Sequence, residues 1–467
     1  MFAALLILAL SQTAAPDGRV ADKQWYTLTI DDVRVGYAYD ERIATPNGTT
    51  ERENVLIEVR QLGHRSRIER RLELQRNASG EPIAIEYESS AGTVHRAWRG
   101  RIESGHMRIS PLGWHSGAES VVPLPAGVDL SPERSAKFAA LWKKQQSRIE
   151  FTGFDPGRQV ATTVKAETIA AERDADQVHV RVLQDSAQED VWLDTSGAVA
   201  RIESSAFGSK LVWRPCATAC DANVEQPLDP MDRLVVRSPV RIFVSAKRRE
   251  IRYVISRIDG APPLLAQTGE QSAVFDDARA IATICQDCGE EGSSTTAEIK
   301  RYLEPNAWVR SNDAEIRRLA LATVPRGASV DFRMRKLALL TQVRMRGTDD
   351  FLGYADAVTA LHTGSGDCTE FAVLLAALAR AQGIPARVAV GLAYSSHFSG
   401  KEDVFSPHMW VQAYDGKKWT SYDAALDGFD STHIAFAVGN GEPGEVFAAM
   451  SQLPLLRIEK AAVVRKN

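Results

Sequence analysis

Cys368 has the sequence setting of a reactive thiol. It follows a Gly-Ser-Gly run at 364–366 and precedes an apolar pattern that is typical of one face of a buried helix. The residues of that face are Phe371, Leu374, Leu375 and Leu378. Gly383 and Pro385 end the pattern, so the helix is predicted to begin at Asp367 or Cys368.

A cysteine in the first turn of a helix can act as a nucleophile. The positive end of the helix dipole and the unpaired N–H groups there stabilise a thiolate, so we expect a lowered pKa for Cys368. The same N–H groups can donate to the oxyanion that forms when a carbonyl is attacked. The alternative is a small cysteine that packs under the helix. Its place before the apolar pattern argues against that interpretation.

The following segment offers a base and a carboxylate to orient it. An alternating run from His408 to Tyr414 reaches the turn signal Asp415-Gly416, and a second strand runs through Asp423. With a two-residue loop, His408 lies directly opposite Asp423, with Cβ atoms roughly 5 Å apart. A four-residue loop leaves the pair opposite or diagonal on the same face, whereas a three-residue loop separates it. We predict Cys368, His408 and Asp423 as a catalytic triad.

Three other histidines are weaker candidates for the base. His362 has no evident carboxylate partner, and His397 lies in a polar stretch that is typical of a mobile connection. His433 follows the second strand and could face the site. Asp427 and Asp430 are less suitable than Asp423 as the orienting group, because both lie beyond the strand.

Helical patterns around this triad predict an α+β catalytic domain over 296–467. The first begins near Thr296, with Glu298 in its first turn, and others follow at 313–321 and 331–343. The preceding segment, 239–295, is predicted to be a connecting β segment with strand-like runs VRIFV and IRYVI.

Residues 16–238 form a predicted β-rich domain of antiparallel sheets. Period-two alternation occurs in the runs WYTLTI, VRVGYAY, NVLIEVR, IAIEYES, VHVRVL and DVWLD. Ser79-Gly80 and Ser196-Gly197 have similar surroundings and each predicts a hairpin, which leaves open a duplicated β unit. Between them, a helix is predicted from Ser131 to about Gln146.

Length and composition indicate a soluble protein of two or three domains. The chain has 467 residues, 44% apolar and 25% charged, and a formal net charge of -4. This charge argues against a general nucleic-acid binder, and no nucleic-acid partner is expected. A local basic cluster reads as the solvated face of a strand. Its residues are Arg65, Arg67, Arg70, Arg71 and Arg76.

The first residues, MFAALLILALSQTAAPDG, predict export. An apolar run of this length that ends in small residues is typical of a signal peptide over about 1–15 and is too short to span a bilayer. The usual basic start is missing, so an N-terminal anchor is the alternative. We expect a periplasmic or otherwise exported protein with no further transmembrane helix.

The other four cysteines form two close pairs, Cys216 with Cys220 and Cys285 with Cys288. In an oxidising compartment such pairs can form structural disulfides, within or across the pairs. A four-cysteine zinc site is the competing interpretation, because both spacings suit metal ligands. Cys368 is left as the odd thiol.

Several motifs together resemble the bacterial transglutaminase-like family over about residues 296–440. They are G-S-G-D-C-T-E, A-R-A-Q-G-I-P-A-R, H-M-W-V-Q-A-Y, Trp419 and Y-D-A-A-L. The resemblance implies a papain-like arrangement, with a nucleophile at a helix N-terminus packed on an antiparallel sheet. It also implies structural roles for Glu370 and Arg387. Where D-P-T is common in the family, this chain has Asp423-Ala424-Ala425.

The resemblance implies acyl transfer through a thioester. Cys368 would be the nucleophile, His408 the base and acid, and Asp423 the orienting group. Water or an amine would resolve the thioester, so hydrolysis and transamidation both remain open. Candidates for an oxyanion side chain are Trp308, Gln342 and Tyr354.

The expected partner is a peptide or protein substrate, and this chemistry requires no cofactor or metal. A cell-envelope partner could bind the N-terminal β domain. The alternative function is a catalytically silent scaffold in which the triad is vestigial.

Overall fold

The protein is α+β, with a large antiparallel sheet in its N-terminal half and a mixed domain after it. The computed structural model describes residues 19–464 with short gaps. These gaps are 62–63, 93, 113–118, 133–137, 139–140, 142–145, 174–175, 185–186, 207–208, 217–223, 225–226, 230, 292–293 and 349–352. The predicted signal segment lies outside the described residues, as does most of the predicted helix from Ser131.

The N-terminal half forms a 14-stranded sheet. Its strands are β1 (Arg19–Ile30), β2 (Val33–Thr45), β3 (Gly48–Gln61), β4 (His64–Asn77), β5 (Pro82–Ala91), β6 (Val94–Glu103), β7 (His106–Pro111), β8 (Ser120–Pro123), β9 (Arg148–Asp155), β10 (Val160–Arg173), β11 (Gln177–Gln184), β12 (Ala187–Asp194), β13 (Val199–Ala206) and β14 (Ser209–Cys216). The order is β8 to β1 and then β14 to β9, so β1 and β14 pair at the centre. All six runs predicted as strands are strands.

The two hairpins predicted from similar sequences have the same turn. Asn77 Oδ1 accepts from the N–H groups two and four residues later, and Asp194 Oδ1 does the same. Gly80 and Gly197 have φ angles of 82° and 85°, a region that suits glycine because it has no Cβ. Both hairpin predictions are confirmed, and the duplication remains a prediction.

The two ends of this sheet meet. Trp98 on β6 donates from Nε1 to Pro156 O at 3.2 Å and packs on Phe154 of β9. The surrounding apolar cluster, which includes Leu74, Ile85 and Met107, is drawn from both ends of the strand order. The sheet therefore encloses its core by curling, which buries one face of each strand.

The basic cluster on β4 pairs with glutamates of β3 and of its own strand. Arg65 and Arg67 bind Glu58, Arg71 binds Glu73, Arg70 binds Glu53, and Arg76 binds Glu51. Side-chain exposure of these arginines runs from 22% to 62%. The cluster is a partly solvated ladder of ion pairs across neighbouring strands.

The C-terminal domain contains three further sheets, the smallest being the parallel pair β19-β20, and a set of helices. Its strands are β15 (Val236–Arg237), β16 (Ile251–Arg257), β17 (Gln271–Asp276), β18 (Arg279–Ile284), β19 (Arg346–Gly347), β20 (Ser365–Gly366), β21 (Ala386–Phe398), β22 (Lys401–Tyr414), β23 (Trp419–Tyr422), β24 (His433–Gly439) and β25 (Leu456–Val463). Its helices are α1 (Met231–Leu234), α2 (Val244–Lys247), α3 (Thr296–Arg301), α4 (Ala314–Thr323), α5 (Val330–Arg344), α6 (Ala357–Thr363), α7 (Cys368–Ala381) and α8 (Pro443–Met450), with a 3-10 turn at Leu453–Leu455. None of the described helices has the length and apolar character needed to cross a bilayer.

Helix α7 packs on the sheet β15-β22-β21-β24, and β23 extends that sheet from β22. A second sheet, β17-β18-β16-β25, shares the same apolar core. Segment 239–295 therefore contributes three strands to a sheet that β25 completes. The domain boundaries predicted from sequence stay predictions.

Two local predictions in this half are wrong. The run VRIFV at 240–244 is not a strand: residues 240–243 are irregular, and Val244 is the first residue of the short helix α2. The stretch around His397 is not a mobile connection either: it is the end of β21, joined to β22 by a turn at Ser399-Gly400. The predicted helices near 296, 313 and 331 are confirmed as α3, α4 and α5.

The N-terminal sheet touches the C-terminal domain through Arg96 on β6. Its guanidinium binds the buried Asp356 carboxylate at 2.9 Å and lies 4.0 Å from the centre of the Trp308 ring. Asp356 also caps α6 through the N–H groups of Val358 and Thr359. A strand of the first half thus fixes a helix that packs on α7 in the second.

Candidate active site

Cys368 is the first residue of α7, as the sequence predicts. Asp367 is the N-cap and accepts from the Thr369 N–H at 2.7 Å, and its side chain and that of Glu370 form a capping box. Glu370 accepts from the N–H groups of Asp367 and Ala355 at 3.0 and 2.7 Å. These bonds fix the start of the helix and hence the position of the sulfur.

The predicted lowering of the Cys368 pKa is wrong. Burial raises the pKa of this thiol well above its usual value, and the Asp367 carboxylate raises it further, whereas the Met409 amide lowers it. Burial and the neighbouring Asp367 also raise the pKa of Glu370, to about 8. The helix end holds two acids beside the sulfur, so Cys368 is a neutral thiol at neutral pH.

The hairpin that carries His408 has a four-residue loop. Tyr414 pairs with Trp419 and Val411 with Tyr422, so Asp423 is diagonal to His408 on the same face. This is one of the two arrangements that a four-residue loop allows. The His408 Nε2 and Asp423 Oδ2 atoms are 2.8 Å apart, and both residues are buried. The predicted contact between imidazole and carboxylate is present.

Asp423 is held as a carboxylate. Burial alone would raise its pKa, but the charges and hydrogen bonds of His408 and His433 outweigh burial and hold the pKa well below its usual range. Its Oδ1 atom also accepts from the N–H groups of Ala425 and Leu426 at 2.7 and 3.2 Å. Asp423 therefore shapes the loop after it, where the sequence departs from D-P-T.

The sheet around His408 is closely packed. Gly391 of β21 pairs with His408, and a Cβ at Gly391 would lie 1.9 Å from Ile434 O of β24. The Trp410 ring lies 6.2 Å from the His408 ring in a stacked orientation and donates to Ser421 Oγ at 3.1 Å. Neighbouring strands thus restrict how far the imidazole can move.

Cys368 and His408 line one cavity of about 770 Å³. One wall comes from the start of α7, with Asp367 and Phe371. The rest is formed by α2, the β19-β20 pair, the end of β21, the middle of β22 and loop 425–430. This cavity is large enough for a peptide segment. It brings Cys368 and His408 to one space, with Asp423 behind His408.

The competing histidines lie elsewhere. His362 contacts Glu315 Oε2 at 2.8 Å on the surface of α6, so the expectation that it lacks a carboxylate partner is wrong. His397 is exposed near the end of β21. His433 does contact the site, but from behind: its Nε2 is 3.0 Å from Asp423 Oδ2, and it does not line the cavity.

The role of His433 is the main feature that sequence reasoning did not predict. The available signal was the position of His433 at the start of a strand, β24. Strand β24 pairs with the central strand β21, and so does β22, the strand that carries His408. Of the two other acids considered, Asp430 contacts His433 Nδ1 at 3.4 Å, and Asp427 is exposed at the cavity rim.

None of the three candidates for an oxyanion side chain lines this cavity. Tyr354 donates to Gly441 O at 3.0 Å, and Gln342 donates to Leu426 O at 3.1 Å. Trp308 is buried against Tyr354 and Arg96. The Cys368 N–H remains as an oxyanion donor, because the N-cap carboxylate accepts from Thr369 and Glu370.

Glu370 and Arg387 occupy structural positions. Arg387 donates to Gln412 Oε1 at 2.9 and 2.7 Å, binds Glu291 at 2.6 Å and covers the Trp419 ring. Glu370 joins the start of α7 to Ala355.

Cys285 and Cys288 form a disulfide within their pair, and Cys216 is also disulfide-bonded. Among the described cysteines, Cys368 is free. A bonded sulfur is not a thiolate ligand, so the four-cysteine zinc site is excluded.

His408, Asp423 and His433 could in principle bind a metal, since their ligand-type atoms lie within 4.8 Å of one another. Both imidazole Nε2 atoms, however, face the same carboxylate oxygen at 2.8 and 3.0 Å. The three groups satisfy one another as a hydrogen-bonded cluster, so we assign it no metal.

Comparison with known proteins identifies this part of the chain. Residues 332–424 match the family described as the transglutaminase-like superfamily. The C-terminal part is a transglutaminase-like domain. The match includes all three triad candidates, and no curated protein sequence matches the chain.

Solved structures offer weaker similarities. A β-barrel-like protein of unknown function from Brucella abortus has a TM-score of 0.33 at 10% identity, covering 42% of this chain and 94% of its own. The periplasmic domain of TgpA from Pseudomonas aeruginosa has a TM-score of 0.29 at 19% identity, covering 46% of this chain and 77% of its own. Scores this low do not establish a common fold beyond the transglutaminase-like domain.

Proposed function

We propose that the transglutaminase-like domain is a cysteine-dependent enzyme that acts on amide bonds of a peptide or protein through a thioester. The observation that carries this proposal is the hydrogen bond between His408 and Asp423 at the wall of a cavity that Cys368 also lines. Nucleophile, base and orienting carboxylate therefore occur in the spatial order that acyl transfer requires.

The raised pKa of Cys368 determines how the first step proceeds. Because the thiol is neutral at rest, its proton passes to the His408 imidazole as sulfur attacks the substrate carbonyl. Asp423 holds the ring through Nε2, which leaves Nδ1 for this proton. The Cys368 N–H donates to the oxygen that becomes negative.

The tetrahedral intermediate then collapses. His408 returns the proton to the departing amine, the carbon–nitrogen bond breaks, and the acyl group remains on Cys368 as a thioester. Water or a second amine attacks the thioester and gives up a proton to His408. The carbon–sulfur bond then breaks, and His408 passes that proton to the departing sulfur, which restores the thiol. Hydrolysis and transamidation share every residue of this scheme.

Export is part of the proposal. The apolar N-terminal run of the sequence supports it, as does the disulfide between Cys285 and Cys288, because disulfides persist in oxidising compartments. A periplasmic or otherwise exported enzyme would encounter peptide or protein substrates of the cell envelope. Its N-terminal β domain would bind a partner there.

Alkylation of the native protein without reductant tests the base. We expect iodoacetamide to label Cys368, with Cys368→Ala as the control that assigns the label. His408→Ala should slow labelling at pH 7 by about a hundredfold, the usual contribution of a positioned base. His362→Ala is a matched surface control and should label at the wild-type rate.

Equal labelling rates in the wild-type protein and His408→Ala would refute the enzyme and favour the silent scaffold. If His408 proves necessary, a peptide library with and without added amines would separate hydrolysis from transamidation. The product mass distinguishes the two: hydrolysis yields a free acid, and transamidation yields an amide of the added amine.

A further inference from the structure

His433 makes a contact that a simple triad does not need. Its Nε2 atom lies 3.0 Å from Asp423 Oδ2, the same oxygen that His408 approaches at 2.8 Å. The two rings are 5.4 Å apart, and the side chain of His433 is 1% exposed. A single carboxylate oxygen thus faces two imidazoles, of which only His408 reaches the cavity.

A carboxylate lies beside each nitrogen of the His433 ring. Nε2 faces Asp423 Oδ2, and Nδ1 lies 3.4 Å from Asp430 Oδ1 and 3.1 Å from Asp430 O. The Asp430 N–H, 3.3 Å from Nδ1, is the one donor at this nitrogen. Two carboxylates at these distances favour the charged form of an imidazole, so the ring is clamped between them as an imidazolium.

The charges around His433 support this state. Lys247 of α2 reaches Asp430 at 3.6 Å from the solvent side, and Tyr253 of β16 donates to Ser431 O. Glu270, also buried, accepts from Ser421 Oγ, which in turn accepts from the Trp410 indole, and it has a raised pKa, mainly through burial. Asp423 and Asp430 are thus the anions closest to the ring.

The pKa shifts that the surroundings impose on His433 and Asp430 agree with the geometry. Burial by itself would lower the pKa of His433, but hydrogen bonds to Asp423 and Asp430 outweigh burial and raise it to about 9. The pKa of Asp430 is lowered to about 2, because hydrogen bonds to His433 and Thr432 outweigh its burial.

We propose that His433 is a positioning residue that keeps a fixed positive charge against Asp423 and so leaves His408 neutral and ready to accept a proton. The inference rests on the proposed role of His408. An uncompensated carboxylate would hold a proton on the His408 ring, since an opposite charge at this distance favours the charged form of an imidazole. His433 compensates that carboxylate, while the hydrogen bond that His408 donates to Asp423 still orients the His408 ring.

The test measures histidine titration in the full chain carrying Cys368→Ala, which removes coupling to the thiol and any chemistry. Labelling with ¹³C-histidine lets NMR follow each ring against pH, and His408→Gln and His433→Gln assign the signals. We expect His433 to stay protonated at pH 8. Titration of His433 near or below the ordinary value of about 6.5 would overturn the proposal.

His433→Gln in the same background removes the charge and keeps a neutral N–H donor for Asp423. The pKa of His408 should then rise by about one unit or more, a tenfold gain in proton affinity. A purely structural His433 would leave that pKa unchanged, which would refute the inference. Circular dichroism and the unfolding midpoint show whether the variant folds.

Asp430→Asn supplies a second variant if His433→Gln fails to fold. Asp430 lies at the solvent side of the cluster, so its replacement is milder. We expect the pKa of His433 to fall because one of its two anions is gone, and an unchanged value would count against the clamp. These titrations need no substrate, so an inactive enzyme and an uncharged His433 are distinguishable results.

Discussion

Acid–base pairs occur in two regions of this molecule that differ in their exposure to solvent. On β3 and β4, arginines and glutamates form a ladder whose cations are open to water, such as Arg67 with 62% of its side chain exposed. In the C-terminal domain, His408, Asp423 and His433 form a cluster with side chains at most 6% exposed. In the ladder, water can take the place of a lost partner.

Within the cluster, a lost partner leaves a charge without solvent. The free-energy consequences of similar hydrogen bonds should therefore differ several-fold between the two regions. Burial therefore ranks the contributions of ion pairs to the stability of this protein better than distance does, because the distances in the two regions overlap. Arg67 Nε is 2.9 Å from its glutamate, and His408 Nε2 is 2.8 Å from Asp423.

The largest effect is expected from Asp423→Ala. The substitution leaves His433 as a buried cation without its main anion and should lower the free energy of unfolding by about 3–5 kcal/mol. Urea denaturation measures the loss. Asp427→Ala, in the same loop but exposed, is the matched control and should change stability by less than about 0.5 kcal/mol. Similar losses of stability in both variants would show that burial does not decide how much an aspartate contributes.

An intermediate effect is expected where the two halves meet. Arg96→Ala removes a charged hydrogen bond to buried Asp356 and the contact with Trp308, so we expect a loss of about 1.5–3 kcal/mol. Arg99→Ala on the same strand is the control, because Arg99 is half-exposed and pairs with Glu86. Equal losses for the two arginines would show that exposure does not separate them.

The pH dependence of stability tests the effect of burial on a third acid, Glu370. Its pKa of about 8 lies above the unfolded value of 4.5, so the folded protein binds the extra proton between these values. Stability from this group should therefore fall as pH rises from 5 to 8. Glu370→Gln cannot titrate and should cost about 1 kcal/mol at pH 5 through one hydrogen bond.

Urea denaturation of both proteins at several pH values measures this slope. The advantage of wild type over Glu370→Gln should shrink as the pH rises and change sign before pH 8, because each unit of the pKa shift is worth about 1.4 kcal/mol and the hydrogen bond only about 1 kcal/mol. A constant difference across the range would mean that Glu370 is ionised throughout.

The smallest effect is expected in the ladder itself. Arg67→Ala breaks the pair between a largely exposed arginine and the buried Glu58, and Arg65 still reaches that glutamate. The loss should stay within about 0.2–1 kcal/mol and should shrink further in 1 M salt. Thermal unfolding with and without added salt checks it. A loss of stability as large as that of Asp423→Ala would contradict the expected difference between the ladder and the buried cluster.

Local signals in the sequence account for much of what could be predicted. Glycine after a short polar residue predicts the turns at Gly80 and Gly197, and an acidic N-cap before apolar periodicity predicts the start of α7. The His408 hairpin was predictable for the same reason, since alternation and a turn signal restrict the register to a few cases. Two of these cases keep Asp423 on the face of His408.

Properties that depend on distant contacts could not be predicted. The pKa of Cys368 depends on burial by segments far along the chain as well as on Asp367, and helix position alone suggests the wrong direction. Partners such as Glu315 for His362 and β25 for β16 lie 47 and more residues away. VRIFV alternates like a strand, but no neighbouring strand pairs with it in the described part of the chain.

The pairing of β25 with β16 also bears on how the enzyme would be made. Strand β16 is flanked by β18 and β25, and its residues Ile251, Tyr253 and Ile255 are buried. A ribosome must therefore translate some two hundred further residues after β16 before the strand that covers its second edge emerges. Until then the nascent chain exposes an apolar strand edge, which is open to pairing with another strand.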